Sequence, residues 1–175
     1  MSFDDVSKRL RTARRGPLFD RADFEPTAYG RDDIAQILPH RGSMLLLDHI
    51  VGVVPGQRIF ATRTIDPNDP VFEGHFPGDP VYPGALQIEA IGQAGLCLDA
   101  FRESSTLASS AARPVRLLKV LEAHFLLPVR PGDHVDLISE LVEDNGYTFI
   151  TLGQMVRNGE TVSVGAFEAM FVEEY

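Results

Sequence analysis

A chain of 175 residues is long enough for one domain, or a domain with an appendage, and too short for two large ones. Its 44% hydrophobic and 23% charged residues, with 15 glycines and 12 prolines, describe a folded, turn-rich protein and exclude a disordered or collagen-like one. The formal net charge of -9 argues against a general affinity for nucleic acid phosphates, and the single cysteine, Cys97, can form no internal disulfide and fits a reducing compartment. No apolar run reaches the ~18 residues of a membrane span, and the N-terminus lacks the apolar core of a secretory signal, so a soluble, cytoplasmic protein is expected.

Residues 1–15 hold five basic side chains (Lys8, Arg9, Arg11, Arg14, Arg15) against Asp4 and Asp5. Phe3, Val6 and Leu10 fall at helical spacing, which predicts a short amphipathic helix ending at the breaker Gly16-Pro17. It reads as a terminal arm or as a docking element. Residues 16–30, with Pro17, Pro26 and Gly30, read as irregular. From Asp32, the residues Ile34, Ile37 and Leu38 share one face of a short helix that must end before Pro39. Met44–Val54 and Arg58–Ile65 are strand candidates joined at the turn Pro55-Gly56. Asp66–Pro83, with five prolines and two glycines, reads as a long loop of the kind that carries function.

Pro83 suits the first position of a helix, and the proline-free stretch from Gly84 to about Glu103 predicts the one long helix of the chain. A Ser/Ala-rich connector, Ser104–Ala112, leads to strand candidates at about 115–127, 134–143, 147–157 and 161–172. Asn145-Gly146 and Asn158-Gly159 between extended apolar runs are strong hairpin signals, so the last three strands are expected as an antiparallel meander. Two strands, one long helix and four strands make an α+β domain. The long helix is apolar nearly all round, which predicts burial on several sides by a sheet curved around it. Its small residues Gly92, Ala94, Gly95 and Ala100 would let strands approach its axis.

Into that helix the sequence places Glu89 and Gln93, one turn apart on the same face. A buried carboxylate is costly unless paired, hydrogen-bonded or neutralised. Glu89 therefore reads as one half of an acid/base pair, as one end of an ion pair with a basic strand residue, or as part of an exposed N-terminal helix turn, although it lies about five residues in, beyond the first turn that the helix dipole favours. His75, between Gly74 and Phe76-Pro77-Gly78, offers the other half of an acid/base pair in a loop stiff enough to orient an imidazole; taken alone it reads rather as a turn histidine bonded to a backbone carbonyl. His40, His49, His124 and His134 lack ligand spacing and read as structural, and no metal site is visible.

The run Gly74-His75-Phe76-Pro77-Gly78-Asp79-Pro80-Val81-Tyr82-Pro83-Gly84-Ala85-Leu86, followed by Glu89-Ala90 and Gln93, closely resembles the signature of the hot-dog-fold 3-hydroxyacyl-acyl carrier protein dehydratases of fatty acid synthesis, the FabZ type. Leu38-Pro39-His40-Arg41, Leu45-Leu46-Leu47-Asp48, Pro55-Gly56, Ala123-His124-Phe125 and Pro128-Val129-Arg130-Pro131-Gly132-Asp133 resemble family features in the family's order. The likeness runs from about residue 31 to the end, which makes 31–175 a hot-dog domain, a curved antiparallel sheet around one central helix, and 1–30 an N-terminal extension.

The resemblance implies His75 as catalytic base and Glu89 as catalytic acid. Gly84 matches the glycine whose amide binds the thioester carbonyl, and Gln93 a helix residue that orients the carboxylate. Phe76 and Tyr82 would lie beside the substrate; Tyr82 stands where the family most often has methionine, and reads as narrowing the acyl path or as simple packing. No metal or redox cofactor is implied, because the substrate arrives on the phosphopantetheine arm of an acyl carrier protein. Family geometry makes a homodimer the minimum catalytic unit, with trimers of dimers among relatives. Leu126 and Leu127 stand where relatives are usually basic, so Arg113, Arg116, Lys119 and Arg130, or the basic N-terminal arm, are the candidates for docking the carrier protein. A hot-dog thioesterase and a non-catalytic acyl-binding partner subunit are the alternatives.

Overall fold

A computed structural model describes residues 3–107 and 113–172 of the chain. The N-terminal periodicity forms helix α1, Phe3–Ala13. Strand β1, Glu25–Tyr29, and helix α2, Arg31–Ile37, follow. Strands β2, His49–Val54, and β3, Arg58–Thr64, form the first hairpin. After the long loop comes helix α3, Gly84–Cys97, and then strands β4, Val115–Phe125, β5, His134–Asp144, β6, Thr148–Arg157, and β7, Glu160–Phe171. All seven strands join one antiparallel sheet in the order β1-β2-β3-β5-β6-β7-β4.

The expected meander β5-β6-β7 is present. Asn158 and Gly159 close its second hairpin with both residues at positive φ, the turn that matches strand twist. Helix α3 touches the five strands β3 to β7, so the sheet wraps around it. Glycines make that approach close. A methyl group at Gly153 of β6 would lie 2.4 Å from the Ile91 side chain, and one at Gly95 of α3 would lie 2.9 Å from Thr151 Oγ1.

Four expectations need correction. Residues 16–30 are not irregular throughout, because β1 pairs with β2 and adds an edge strand that Pro26 can occupy only at an edge. The strand expected from Met44 starts at His49: Gly42–Met44 is a single tight turn, and Leu45, Leu46 and Leu47 are all buried without alternation. Side chains rather than a ladder hold their backbone: Gln93 accepts from Leu46 N, and Arg63 and Arg31 donate to the Leu45 and Leu47 carbonyls. The long helix stops at Cys97, and Leu98–Phe101 continues as a tighter 3-10 turn. Within the long loop, Pro70–Glu73 forms a 3-10 turn capped by the Asp69 side chain, which accepts from Val71 N. Residues 108–112 of the expected connector lie outside the described residues.

Side chains alternate across a strand, so the two faces of β6 carry different partners. Thr151 and Gly153 meet α3, whereas Leu152 and Gln154 meet α1 on the opposite face. Val6, Leu10 and Ala13 of α1 are buried against Leu152, Val164 and Ala166. The buried Gln154 amide closes the end of α1, donating to the carbonyls of Ala13 (2.7 Å) and Gly16 (2.9 Å) and accepting from Leu18 N (2.8 Å). This satisfies carbonyls that a helix C-terminus leaves open.

Arg9 of α1 forks onto the buried carboxylate of Glu140 on β5, its Nε donating at 2.9 Å to Oε1 and its terminal nitrogen to Oε2. Burial raises the Glu140 carboxyl above its ordinary value, and Arg9 offsets only part of that rise. With a raised folded-state value, this group favours folding most below the ordinary carboxylate range and loses that contribution as pH rises through the folded value. Removing the guanidinium therefore matters most when Glu140 is ionised. Arg9→Met is expected to cost about 1–2 kcal/mol at pH 8, discounted for the exposure of Arg9, and little at pH 4, as read from urea unfolding. Equal losses at both pH values would assign Arg9 to stem packing instead.

Candidate active site

Glu89 projects from the second turn of α3 into a cavity of about 710 Å³. The cavity runs along α3 from Ala85 to Leu96, with the end of α2, the start of β4, and Phe149, Thr151 and Phe167 as its other walls. The Glu89 side chain is 36% exposed in the single chain, so it is half-buried rather than enclosed.

Two side-chain nitrogens approach one oxygen of Glu89. Gln93 Nε2 donates to Oε1 at 2.8 Å, and His40 Nε2 lies 3.3 Å from the same atom. Gln93 is itself fixed: Nε2 also donates to the Met44 carbonyl at 2.8 Å, and its Oε1 accepts from Leu46 N at 2.9 Å. A carbonyl needs a donor and an amide N–H needs an acceptor, so the orientation of the Gln93 amide follows from its partners. Oε1 of Glu89 is thereby held as the acceptor of the Gln93 amide. His40 is the residue that sequence reasoning missed. It stands in the family-like Leu38-Pro39-His40-Arg41 segment, yet nothing local reveals a contact across forty-nine positions of chain. Its buried Nδ1 meets no hydrogen-bond partner among the described residues.

His75 is held differently. Its Nδ1 lies 2.8 Å from the Val81 carbonyl, and Val81 N donates back to the His75 carbonyl at 3.0 Å. A carbonyl only accepts, so Nδ1 carries a hydrogen, which makes Nε2 the acceptor nitrogen of the neutral imidazole. The contact with the Val81 carbonyl is the turn-histidine setting that the sequence offered as one reading. Phe76 is exposed and stacks on the imidazole with ring centres 4.0 Å apart. His75 and Phe76 do not line the cavity that holds Glu89.

Gly84 opens α3 behind Pro83. The Leu86 and Gln87 amides return to the Pro83 carbonyl, while the Gly84 amide meets no acceptor among the described residues. The Phe125 ring lies over Gly84, 2.8 Å from where a Cβ would stand. The structure places Tyr82 away from the cavity. It is fully buried in the core against Phe72, its amide donates to the Val129 carbonyl at 2.7 Å, and burial raises its phenol above the ordinary value, with Arg63 opposing. Packing, the other reading of Tyr82, is its observed setting, because Pro83 turns the chain into α3 and leaves the ring behind the loop.

The four candidate docking residues are not brought into one patch. Arg113 and Arg116 line the cavity, whereas Lys119 and Arg130 do not. Arg113 bonds Asp99 and stacks over Phe171 with its guanidinium 3.4 Å from the ring centre. Burial would raise the Asp99 carboxyl, but hydrogen bonds from Arg113 and Arg102 hold it below its ordinary value. Lys119 pairs with Glu168, and Arg130 with Asp79. No group of potential metal ligands occurs among the described residues, and no helix there is long and apolar enough to cross a membrane.

A family model for the FabA-like domain matches residues 38–165. A 3-hydroxyacyl-[acyl-carrier-protein] dehydratase FabZ from Nitratiruptor sp. is 38% identical over 144 residues, covering 81% of this chain and 97% of that protein. The chain belongs to the FabZ dehydratase family. A second FabZ, from Myxococcus xanthus, is 37% identical over 142 residues, covering 81% of this chain and 91% of its own length. Among solved structures, the dehydratase heterocomplex ApeI:P from Xenorhabdus doucetiae aligns with a TM-score of 0.64 at 20% identity, covering 81% of this chain and 91% of that one. A thioesterase from Haemophilus influenzae aligns at 0.51 with 15% identity, covering 71% and 78%. At those identities the structural likeness establishes the hot-dog fold alone, while the FabZ relationship rests on the sequence. Helix α1 and strand β1 precede the segment matched by the family model.

Proposed function

We propose that this FabZ-family chain dehydrates (3R)-3-hydroxyacyl groups carried on the phosphopantetheine arm of acyl carrier protein, giving the trans-2-enoyl product, with His75 as base and Glu89 as acid. The observation that carries the chemical roles is the complementary setting of the two groups. His75 presents an Nε2 lone pair because Nδ1 is committed to Val81. Glu89 keeps Oε2 for a proton because Oε1 is committed to Gln93 and His40.

The steps balance without an oxidant or reductant. His75 Nε2 takes the proton at C2, the C3–O bond breaks, and Glu89 Oε2 delivers a proton to the departing hydroxide as water. The C2–H electron pair becomes the new double bond. The Gly84 amide, at the N-terminus of α3, stabilises the charge that develops on the thioester oxygen. His40 and Gln93 act as positioning residues through Glu89.

The single-chain cavity contains Glu89 but lacks His75, and a second copy of the chain would complete the site. The edge strand β4 favours such pairing. Leu117, Leu118, Val120 and Phe125 are exposed along it, an apolar edge that a solitary chain rarely leaves bare. A homodimer joined at β4 is therefore the working unit. Arg113 and Arg116, at the cavity wall, are the members of the basic set placed to meet the acidic carrier protein. Of the extension that precedes the 31–175 domain, α1 covers the outer sheet face and β1 adds an edge strand. The buried, unpaired Cys97 accords with a cytoplasmic setting.

Incubation of the protein with a carrier-bound 3-hydroxyacyl thioester tests the reaction directly. The expected result is the enoyl thioester with loss of one water. Release of free acid would identify a thioesterase, and binding without either product an acyl-binding subunit.

A further inference from the structure

Gly92 follows Glu89 by about one turn on the cavity-lining face of α3. A methyl group at Gly92 would meet no atom within 4 Å, whereas one at Gly95 would press on the Thr151 side chain at 2.9 Å. The two glycines thus differ in what requires them. Gly95 lets the helix meet the sheet, but packing makes no demand at Gly92, and a glycine inside a helix costs stability relative to alanine. The walls beside it, Ile88, Leu96, Phe149 and Phe167, are apolar. The missing side chain leaves open apolar volume just beyond the carboxylate.

The helix rise sets Gly92 about 4.5 Å past Glu89 along α3. An extended chain of single bonds advances about 1.2 Å per bond, so a substrate whose C3 oxygen meets Glu89 brings roughly its sixth or seventh carbon beside Gly92. We propose that Gly92 sets the acyl-chain capacity of the site, holding open the passage by which long 3-hydroxyacyl chains, of about eight carbons or more, enter the cavity. The inference rests on the dehydratase reading and adds to it a substrate class and the residue that selects it.

The test compares the full-length protein with Gly92→Ala and Gly92→Leu, using carrier-bound 3-hydroxybutyryl and 3-hydroxydodecanoyl substrates together with thermal melts. Gly92→Ala should raise Tm by about 2–4 °C, since the methyl group has room and the helix gains propensity. The ratio of kcat/KM for the long over the short substrate should fall modestly with alanine. With leucine it should fall about tenfold or more, each excluded methylene costing roughly fourfold. An unchanged ratio, or equal losses on both substrates, would overturn the proposal, as would a lowered Tm for the alanine variant. Gly92→Ala carries the test by itself if the leucine variant does not fold. A wild-type protein that turns over neither substrate would overturn the dehydratase reading itself, a failure visible before any variant is measured.

Discussion

His75→Ala and Glu89→Gln are each expected to lower turnover of a carrier-bound 3-hydroxyacyl substrate by about 100-fold or more, because proton transfer by a positioned group is typically worth 10²–10⁴. Neither change should disturb the fold. His75 stands on a loop whose backbone bonds, from His75 N to Val71 O and from Val81 N to His75 O, survive removal of the imidazole. Glutamine at position 89 keeps the shape and an acceptor for Gln93, and removes only the exchangeable proton. The reading divides further at His40. His40→Gln keeps a polar side chain toward Glu89 and should lose far less activity than His40→Ala, with the loss falling on kcat more than on KM. Variants of His75 or Glu89 with near-wild-type rates in the purified, folded protein would remove the pair from the mechanism.

A second expected result concerns the assembly of the site. If His75 of one copy works with Glu89 of the other, mixing His75→Ala chains with Glu89→Gln chains restores one intact site in each mixed dimer, while the other site carries both substitutions. Half the dimers in a statistical mixture are mixed, and half their sites are intact, so recovery to about a quarter of wild-type turnover follows from two-fold symmetry. Co-expression with two different affinity tags isolates the mixed dimers and allows the measurement without exchange. Mixed dimers that stay as inactive as either parent would mean that each chain closes its own site, with the loop of His75 reaching Glu89 by a rearrangement within the chain.

The parts of the fold that were legible in sequence are those governed by local chemistry. Asn158-Gly159 can adopt a tight turn that few other residue pairs accept, and the structure uses it. Pro83 stands immediately before α3 as its N-cap, one position ahead of the first helical residue, and the spacing of Glu89 and Gln93 places them in hydrogen-bond contact. What stayed hidden depends on contacts made far along the chain. Glu25–Tyr29 contains a proline and no alternation, so it becomes a strand only because β2 offers it an edge. Leu45–Leu47 resembles a strand as an apolar run, but the Gln93 amide claims the backbone at Met44 and Leu46. Gln154, three residues past Thr151 in an apolar strand, shows its purpose only when α1 is seen to end against it. The approach of His40 to Glu89 is of the same kind, and so is the burial of Tyr82 against Phe72, which adjacency to the motif does not reveal.

The seating of α1 also bears on how copies of the chain accumulate into larger bodies. Sheets often aggregate by laying one broad face against another, and the outer face of β6 and β7 carries Leu152, Val164 and Ala166, which would suit such stacking. That face is already occupied by the chain's own first helix. Uncovering it would expose Val6 and Leu10 as well, at roughly 1.5–3 kcal/mol for each large side chain, and would break the Arg9–Glu140 fork. The helix thus serves as a built-in stop against face-to-face stacking at β6 and β7.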